Sequence, residues 1–419
     1  MAWVNWSRKT PEANGDRGAL GVDLNAGRAR ATYGRGSRNK LFLLDDPHTD
    51  LPLAISLDKR TPDVGRAALA VSRTLPHAMA VNYLPQLGQV FEWKHGRHAL
   101  TADGLVSLAL ERLAKITASN SGLSLALPPY LSVPQVTRLL ILAEKQKLRI
   151  RGTACTPLVL AAERATHFLT APRPDDSDDG SGLRKAISTT AVLIVDVDEY
   201  ALTASVVRIT QEEVRMLATA AFPRLGAKVW RERLLDTLAD RCVRLCRRDP
   251  RDNAAAEQML FDQLEETIDR ARTGQRVSVH VRSANWFQDL IHAPADLDAF
   301  CGPLSKQAAE EIKNLLQTTN DGDAPETVWL THDAGRMPGL AATLHQHMTE
   351  RSSVRVLHPE ATAAAAANLI DRWDAGDLPR SHLDTVIALA TKVDPRLLPK
   401  APPPGLNSGP RGAGVEKRL

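Results

Sequence analysis

Two aspartates, Asp23 and Asp196, each close an apolar run, in Gly21-Val22-Asp23-Leu24 and in Val192-Leu193-Ile194-Val195-Asp196. A carboxylate at a strand end either caps the turn that follows or helps to hold a hydrated divalent cation. Cys242 and Cys246 are the close pair among four cysteines, the others being Cys155 and Cys301. Spaced four apart on a helix, they share one face. Such a pair is half of a metal site or two small apolar side chains in a core, and no second ligand pair follows it. His345 and His347 would point in different directions on a helix. With His332 and His358 they read as surface or core-edge histidines. Asp269-Arg270-Ala271-Arg272 sets opposite charges three apart, the spacing of a helical ion pair.

The composition narrows what these residues can serve. Lys and Arg number 53 against 49 Asp and Glu, and the net charge of +4 is too small to call for nucleic acid. Aromatic residues at 4% leave little for stacking single strands. A 43% hydrophobic content is enough for a real core. The N-terminus has no apolar run of signal-peptide length, and no stretch reaches the ~18 apolar residues of a membrane span. The cysteine usage fits a reducing compartment. A soluble, cytoplasmic protein is expected, with no nucleic-acid and no membrane partner.

The elements that must position these residues fall into two similar halves. Residues 1–17 read as a flexible leader. Lobe I, 18–172, opens with strands at Ala19–Leu24 and Ala29–Tyr33. Helices follow at Ala102–Ala118, after Ser132, and at Leu158–Leu169, with a buried strand at Leu123–Leu127. An acidic, Pro/Gly/Ser-rich linker loop at 173–189 separates the halves. Lobe II, 190–372, opens with the apolar strand Ala191–Val197 and a meander through Leu202–Ile209 and Val214–Ala221. Helices are expected at Lys228–Cys246, Ala254–Ala271, from a Ser305 cap to Leu316, Gly339–Met348 and Pro359–Asp371. Strands are expected at Val277–Val281 and Val328–Thr331. A short C-terminal extension, 373–398, and a disordered Pro/Gly-rich tail, 399–419, complete the chain. The repeated pattern is α/β: two lobes, each a mixed β-sheet with flanking helices, around a central cleft.

The order of these segments resembles the actin-like ATPase fold, and in detail the ATPase domain of DnaK-type (70-kDa) heat-shock chaperones. The likeness covers roughly residues 19–372. Gly21-Val22-Asp23-Leu24 looks like that family's first phosphate loop. Val64-Gly65-Arg66-Ala67-Ala68 looks like the segment leading to its catalytic lysine, and residues 123–150 look like its "VPAYF, then helix" block. Val192–Asp196 looks like its second phosphate strand, and Arg224-Leu225-Gly226 like the turn before its long helix. Thr331 to Pro338, with HPEATAAAAANLI at 358–370, looks like its adenosine loop and following helix. The resemblance implies ATP or ADP with Mg²⁺ in the cleft. It implies water-mediated metal contacts from Asp23 and Asp196, and nucleotide contacts from Gly27, Gly226, Asp269, Arg272, Gly335 and Arg336, the last stacking on the purine.

Against that pattern the phosphate side is degraded. The first loop's Gly-Thr-Thr is Asn25-Ala26-Gly27, and the second loop's Gly-Gly-Gly-Thr is Asp198-Glu199-Tyr200-Ala201. Acidic side chains there repel phosphate, and their bulk blocks the close approach glycines permit. The lysine position is Leu69, which cannot neutralise charge, and the glutamate position is Thr156. No catalytic residue is assigned. The family's peptide-binding domain has no room after Asp371, so peptide binding and its coupling are not carried over. The expectation is a DnaK-like chaperone-family protein with weak or absent ATP hydrolysis and a protein partner of unknown identity. A nucleotide-independent scaffold is the alternative. An active ATPase with a rearranged site would need a replacement cation, for which Arg28, Arg30 and Lys59 are the candidates near in sequence.

Overall fold

Two six-stranded sheets organise the computed structural model, which describes residues 18–34, 39–170, 190–319, 325–348, 353–381 and 385–389. The first half runs β1 (Leu20–Leu24), β2 (Arg28–Tyr33), β3 (Lys40–Phe42), β4 (Asp50–Pro52), β5 (Ile55–Ser56) and β6 (Asp63–Val64). It continues with α1 (Arg66–Leu69), β7 (Met79–Ala80), β8 (Glu92–His95), β9 (His98–Thr101) and α2 (Ala102–Ile116). It closes with β10 (Leu123–Leu127), α3 (Val133–Lys145), β11 (Ile150–Cys155) and α4 (Thr156–Thr170). The second half runs β12 (Thr190–Val197), β13 (Leu202–Ile209), β14 (Glu213–Phe222), α5 (Ala227–Cys246) and α6 (Ala254–Arg272). Next come β15 (Val277–Ser283), β16 (Trp286–His292), α7 (Pro294–Gln317), β17 (Thr327–Leu330), α8 (His332–Arg336) and α9 (Leu340–His347). Last are β18 (Ser353–Val356), α10 (Ala361–Asn368), α11 (Ile370–Asp374) and β19 (Val386–Ala388).

The two sheets share one plan. The first is ordered β11-β10-β1-β2-β3, with β4 also on β2; the second is β18-β17-β12-β13-β14-β19. In each, an opening strand pairs antiparallel with the next and parallel with a later one. The opening strands β1 and β12 are apolar almost throughout because both faces are covered.

The covering helices are exchanged between halves. α10, from the second half of the chain, lies on β1, β2 and β10, and α4, from the first half, lies on β13 and β14. α10 can approach because Gly21 lacks a side chain: a Cβ there would stand 1.9 Å from the Ala363 carbonyl oxygen. Ser124 Oγ fixes the contact by donating to the Ala366 carbonyl, 2.8 Å. Gly152 likewise makes room for Trp373, whose ring would lie 2.3 Å from a Cβ. A core drawn from both halves, including Ala126, Leu158, Ile194 and Trp329, fills the space between the sheets.

Several expectations need correction. Ser305 is not a cap: α7 starts at Pro294, and Ser305 lies buried inside it, donating to the Pro338 carbonyl at 3.1 Å. Burial of Leu297, Cys301 and Ala308 carries the helix through Gly302-Pro303. β16 and β18 were not expected from the sequence. The chain after residue 372 is more than an extension. Trp373 and Leu378 are buried, Thr153 N–H donates to the Arg380 carbonyl at 2.9 Å, and β19 adds to the second sheet. One compact unit runs to Leu389. The leader 1–17, the loop 173–189 and the tail 399–419 lie outside the described residues. Among the described residues no helix is long and apolar enough to cross a membrane.

Candidate functional site

The β1–β2 and β12–β13 turns stand at equivalent ends of the two sheets, and they touch. In the first, Asn25 Oδ1 accepts from the Gly27 and Arg28 amides, both at 3.0 Å. This side-chain turn leaves the Ala26 amide to point outward. It donates to Asp198 Oδ2 in the second turn, 3.1 Å away. The other oxygen of Asp198 accepts from the Tyr200 and Ala201 amides, both at 2.9 Å. Oδ2 also accepts from the hydroxyl of Tyr130, which follows β10 after two prolines. Asp198 is buried. Burial raises its carboxyl above the usual range, against the pull of Tyr130 and the three amides. Tyr130 and Tyr200 meet edge to face at 5.2 Å, sealing the same spot with aromatic area.

The glycines expected to cradle phosphate meet protein instead. A Cβ on Gly27 would stand 3.2 Å from that of Glu199. A Cβ on Gly226 would stand 2.5 Å from the Tyr200 carbonyl oxygen. The first amide of α5, on Ala227, donates to the Asp198 carbonyl at 2.8 Å. That amide belongs to a helix N-terminus, the usual anion seat, and here a backbone carbonyl fills it. A Cβ on Gly335 would run into Val356 at 2.3 Å, so this glycine serves the packing of α8 on β18.

Asp23 and Asp196 face the same buried centre but with different partners. Arg28 lies 3.1 Å from Asp23 and also pairs with Asp333 of α8, its Nε at 2.8 Å. Burial raises the Asp23 carboxyl, and Arg28 offsets only part of this. Asp333 is opposed by burial too, but Arg28, Arg30 and Arg336 together hold it well below the usual range. Arg30 is buried beside them and donates to the Pro359 carbonyl at 3.1 Å. Among the described residues Asp196 has no cationic partner. It accepts from the Thr331 hydroxyl at 2.6 Å and from the Val197 amide at 3.0 Å. Burial and the charge of Asp23 push it up to about 7.

On the helical side an alternating chain of charges links α5, α6 and α8. Glu199 pairs with Arg231, which approaches Glu265 at 3.6 Å. Arg336 pairs with Glu265 and Asp269, each at 2.7 Å. Asp269 is thus paired across to α8 and not with Arg272, which is exposed. Further out, Arg73 pairs with Glu232, and Gln258 accepts from the Arg73 amide at 2.7 Å and donates to the Leu69 carbonyl at 3.0 Å. These contacts tie the α1 region of the first half to α5 and α6 of the second.

The fold therefore gathers Asp23, Gly27, Asp196 and Gly226 at one end of the two sheets, and Asp269 and Arg336 beside α8. Of the candidate replacement cations, Arg28 and Arg30 are at the centre, whereas Lys59 pairs with Asp63 at the surface, 2.8 Å away. Tyr130, Arg231, Glu265 and Asp333 were missed. The signal that could have found Tyr130 and Arg231 is the excess of acidic residues in the second turn, which demands buried donors nearby, whereas Glu265 and Asp333 answer to arginines brought in from other elements. Among the described residues no three His, Cys, Asp or Glu side chains converge to hold a metal. No protein-family model matches this chain, and no curated protein sequence matches it either.

Proposed function

We propose that this chain is a pseudo-ATPase on an actin-like, DnaK-related frame. Its own side chains close the nucleotide cleft, and it acts as a scaffold for a protein partner. The observation that carries the reading is the Asp198 bridge, which consumes the Ala26 amide and the Tyr130 hydroxyl. Amides of two facing turns and of the next helix start are what a phosphate chain would need. Here they end on Asp198, and a carboxylate in that place repels phosphate oxygens. The surrounding residues do not fit hydrated Mg²⁺ either. Asp23 is held by Arg28, and Asp196 holds a hydroxyl and an amide while burial favours its neutral form. The shared strand plan of the two sheets supports the actin-like frame.

Thermal melting with millimolar ATP or ADP and Mg²⁺ tests the proposal. No shift is expected. Ligand at a hundred times its Kd would stabilise the native state by about 2.7 kcal/mol, which melting would register. A rise that Asp196→Ala abolishes would overturn the reading, and phosphate release would favour a rearranged ATPase.

A further inference from the structure

The last turn of α5 carries two thiols in contact, away from the cleft. Cys242 Sγ and Cys246 Sγ are 3.5 Å apart, and the Cys246 thiol donates to the Cys242 carbonyl at 3.3 Å. Cys242 is buried and Cys246 is partly exposed. Helix geometry decides what such a pair can do. Positions four apart hold their Cβ atoms about 5–6 Å from each other. A disulfide needs roughly 3.5–4.5 Å, so closing one would unwind the turn. An ion between the sulfurs meets no such conflict. With sulfur–metal bonds of about 2.3 Å, a bent or linear unit spans roughly 3.8–4.6 Å. Small side-chain rotations reach that span from the observed 3.5 Å.

Among the described residues no third ligand joins the pair, so a closed four-ligand zinc site is not built. Two thiolates alone suit a soft ion of low coordination number. We propose that Cys242 and Cys246 form a two-sulfur site for Cu(I). The ion enters through Cys246, and each thiol releases its proton as its sulfur binds. Two thiolates and one Cu(I) leave a single negative charge; Arg244, Arg247 and Arg248 are exposed in the same stretch of chain, and Asp249 acts on Cys242 with the opposite sign.

The test is anaerobic titration of the reduced full chain against the Cu(I)–bicinchoninate complex. One equivalent of Cu(I) should pass from chelator to protein, with X-ray absorption giving two sulfur neighbours. Cys246→Ser should lose the transfer while keeping the wild-type circular dichroism, and Cys242→Ser should lose it too. Cys155→Ser should keep it. Absence of transfer, transfer undiminished in Cys246→Ser, or three or more sulfur neighbours would overturn the assignment.

Discussion

The β1–β2 turn and the β12–β13 turn hold the same place in two sheets of the same plan, yet their chemistry is opposite. The first, Asn25-Ala26-Gly27, spends its one polar side chain on its own amides and presents a donor. The second, Asp198-Glu199-Tyr200, presents acceptors: Asp198 takes the donor of the first turn, and Glu199 takes Arg231. Two turns that both offered amides would leave an anion seat between them. A donor turn facing an acceptor turn closes on itself. Duplicated architecture therefore does not imply duplicated chemistry, because a single acidic residue reverses the polarity of one half of the site.

Breaking the acceptor should have the largest effect. Asp198→Ala removes the shared partner of three amides and a buried hydroxyl. A loss on the order of 3–4 kcal/mol is expected from urea unfolding. Asp198→Asn, which keeps an acceptor, should lose less; equal losses would mean that the bridge matters only for its bulk. Next is Arg28→Met, which leaves Asp23 and Asp333 without their nearest cation. Unfolding should show a loss of about 2–3 kcal/mol. The deficit should shrink in acid, because Asp333 contributes stability that is present above its ordinary 3.8 and lost as pH falls toward its lower native value.

Asp196→Asn should act in the opposite direction. The native carboxyl keeps its proton to about 7, whereas the unfolded one loses it near 3.8. The native state binds the extra proton between those values, so this group's stabilisation falls as pH rises through that window. The amide mimics the protonated form and should raise Tm at pH 8 by about 1 °C, for about 1 kcal/mol regained in a unit of this length. It should also expose the opposite slope of His332. Burial pushes that imidazole down to about 4 from an ordinary 6.5, so its contribution grows as pH rises between them. A Tm unchanged at pH 8 would mean that Asp196 is ionised and paired. The smallest effect belongs to Asp269→Asn. Its carboxylate is 51% exposed, so the pair with Arg336 should contribute at most about 0.5–1 kcal/mol, and less at high salt.

Much of the frame was legible in the chain. The long apolar run of β12 and the meander after it follow from their own residue types, as do the capped helix at Ser132 and the twenty-residue helix α5. Local pattern governs these elements, and each occurs within a few residues of its expected place. Ser305 was misread and β16 was not foreseen because local signals lost to burial: Ser305 packs inside α7, and Trp286–His292 hides its alternation behind exposed Phe287 and Ile291. The acidity of the second turn was likewise readable, since residue types alone decide that Asp198 and Glu199 offer acceptors there.

The partners of that acidic turn were not readable. Asp198 and Ala26 are 172 positions apart, as are few pairs that sequence spacing can connect, and Asp333 reaches Arg28 across 305. The sequence by itself determined that two similar α/β halves form and that the second turn is acidic. Only the tertiary structure decided that this acid meets an amide, a tyrosine and a helix start, because the partner of a buried charge is set by which distant surfaces the core brings together.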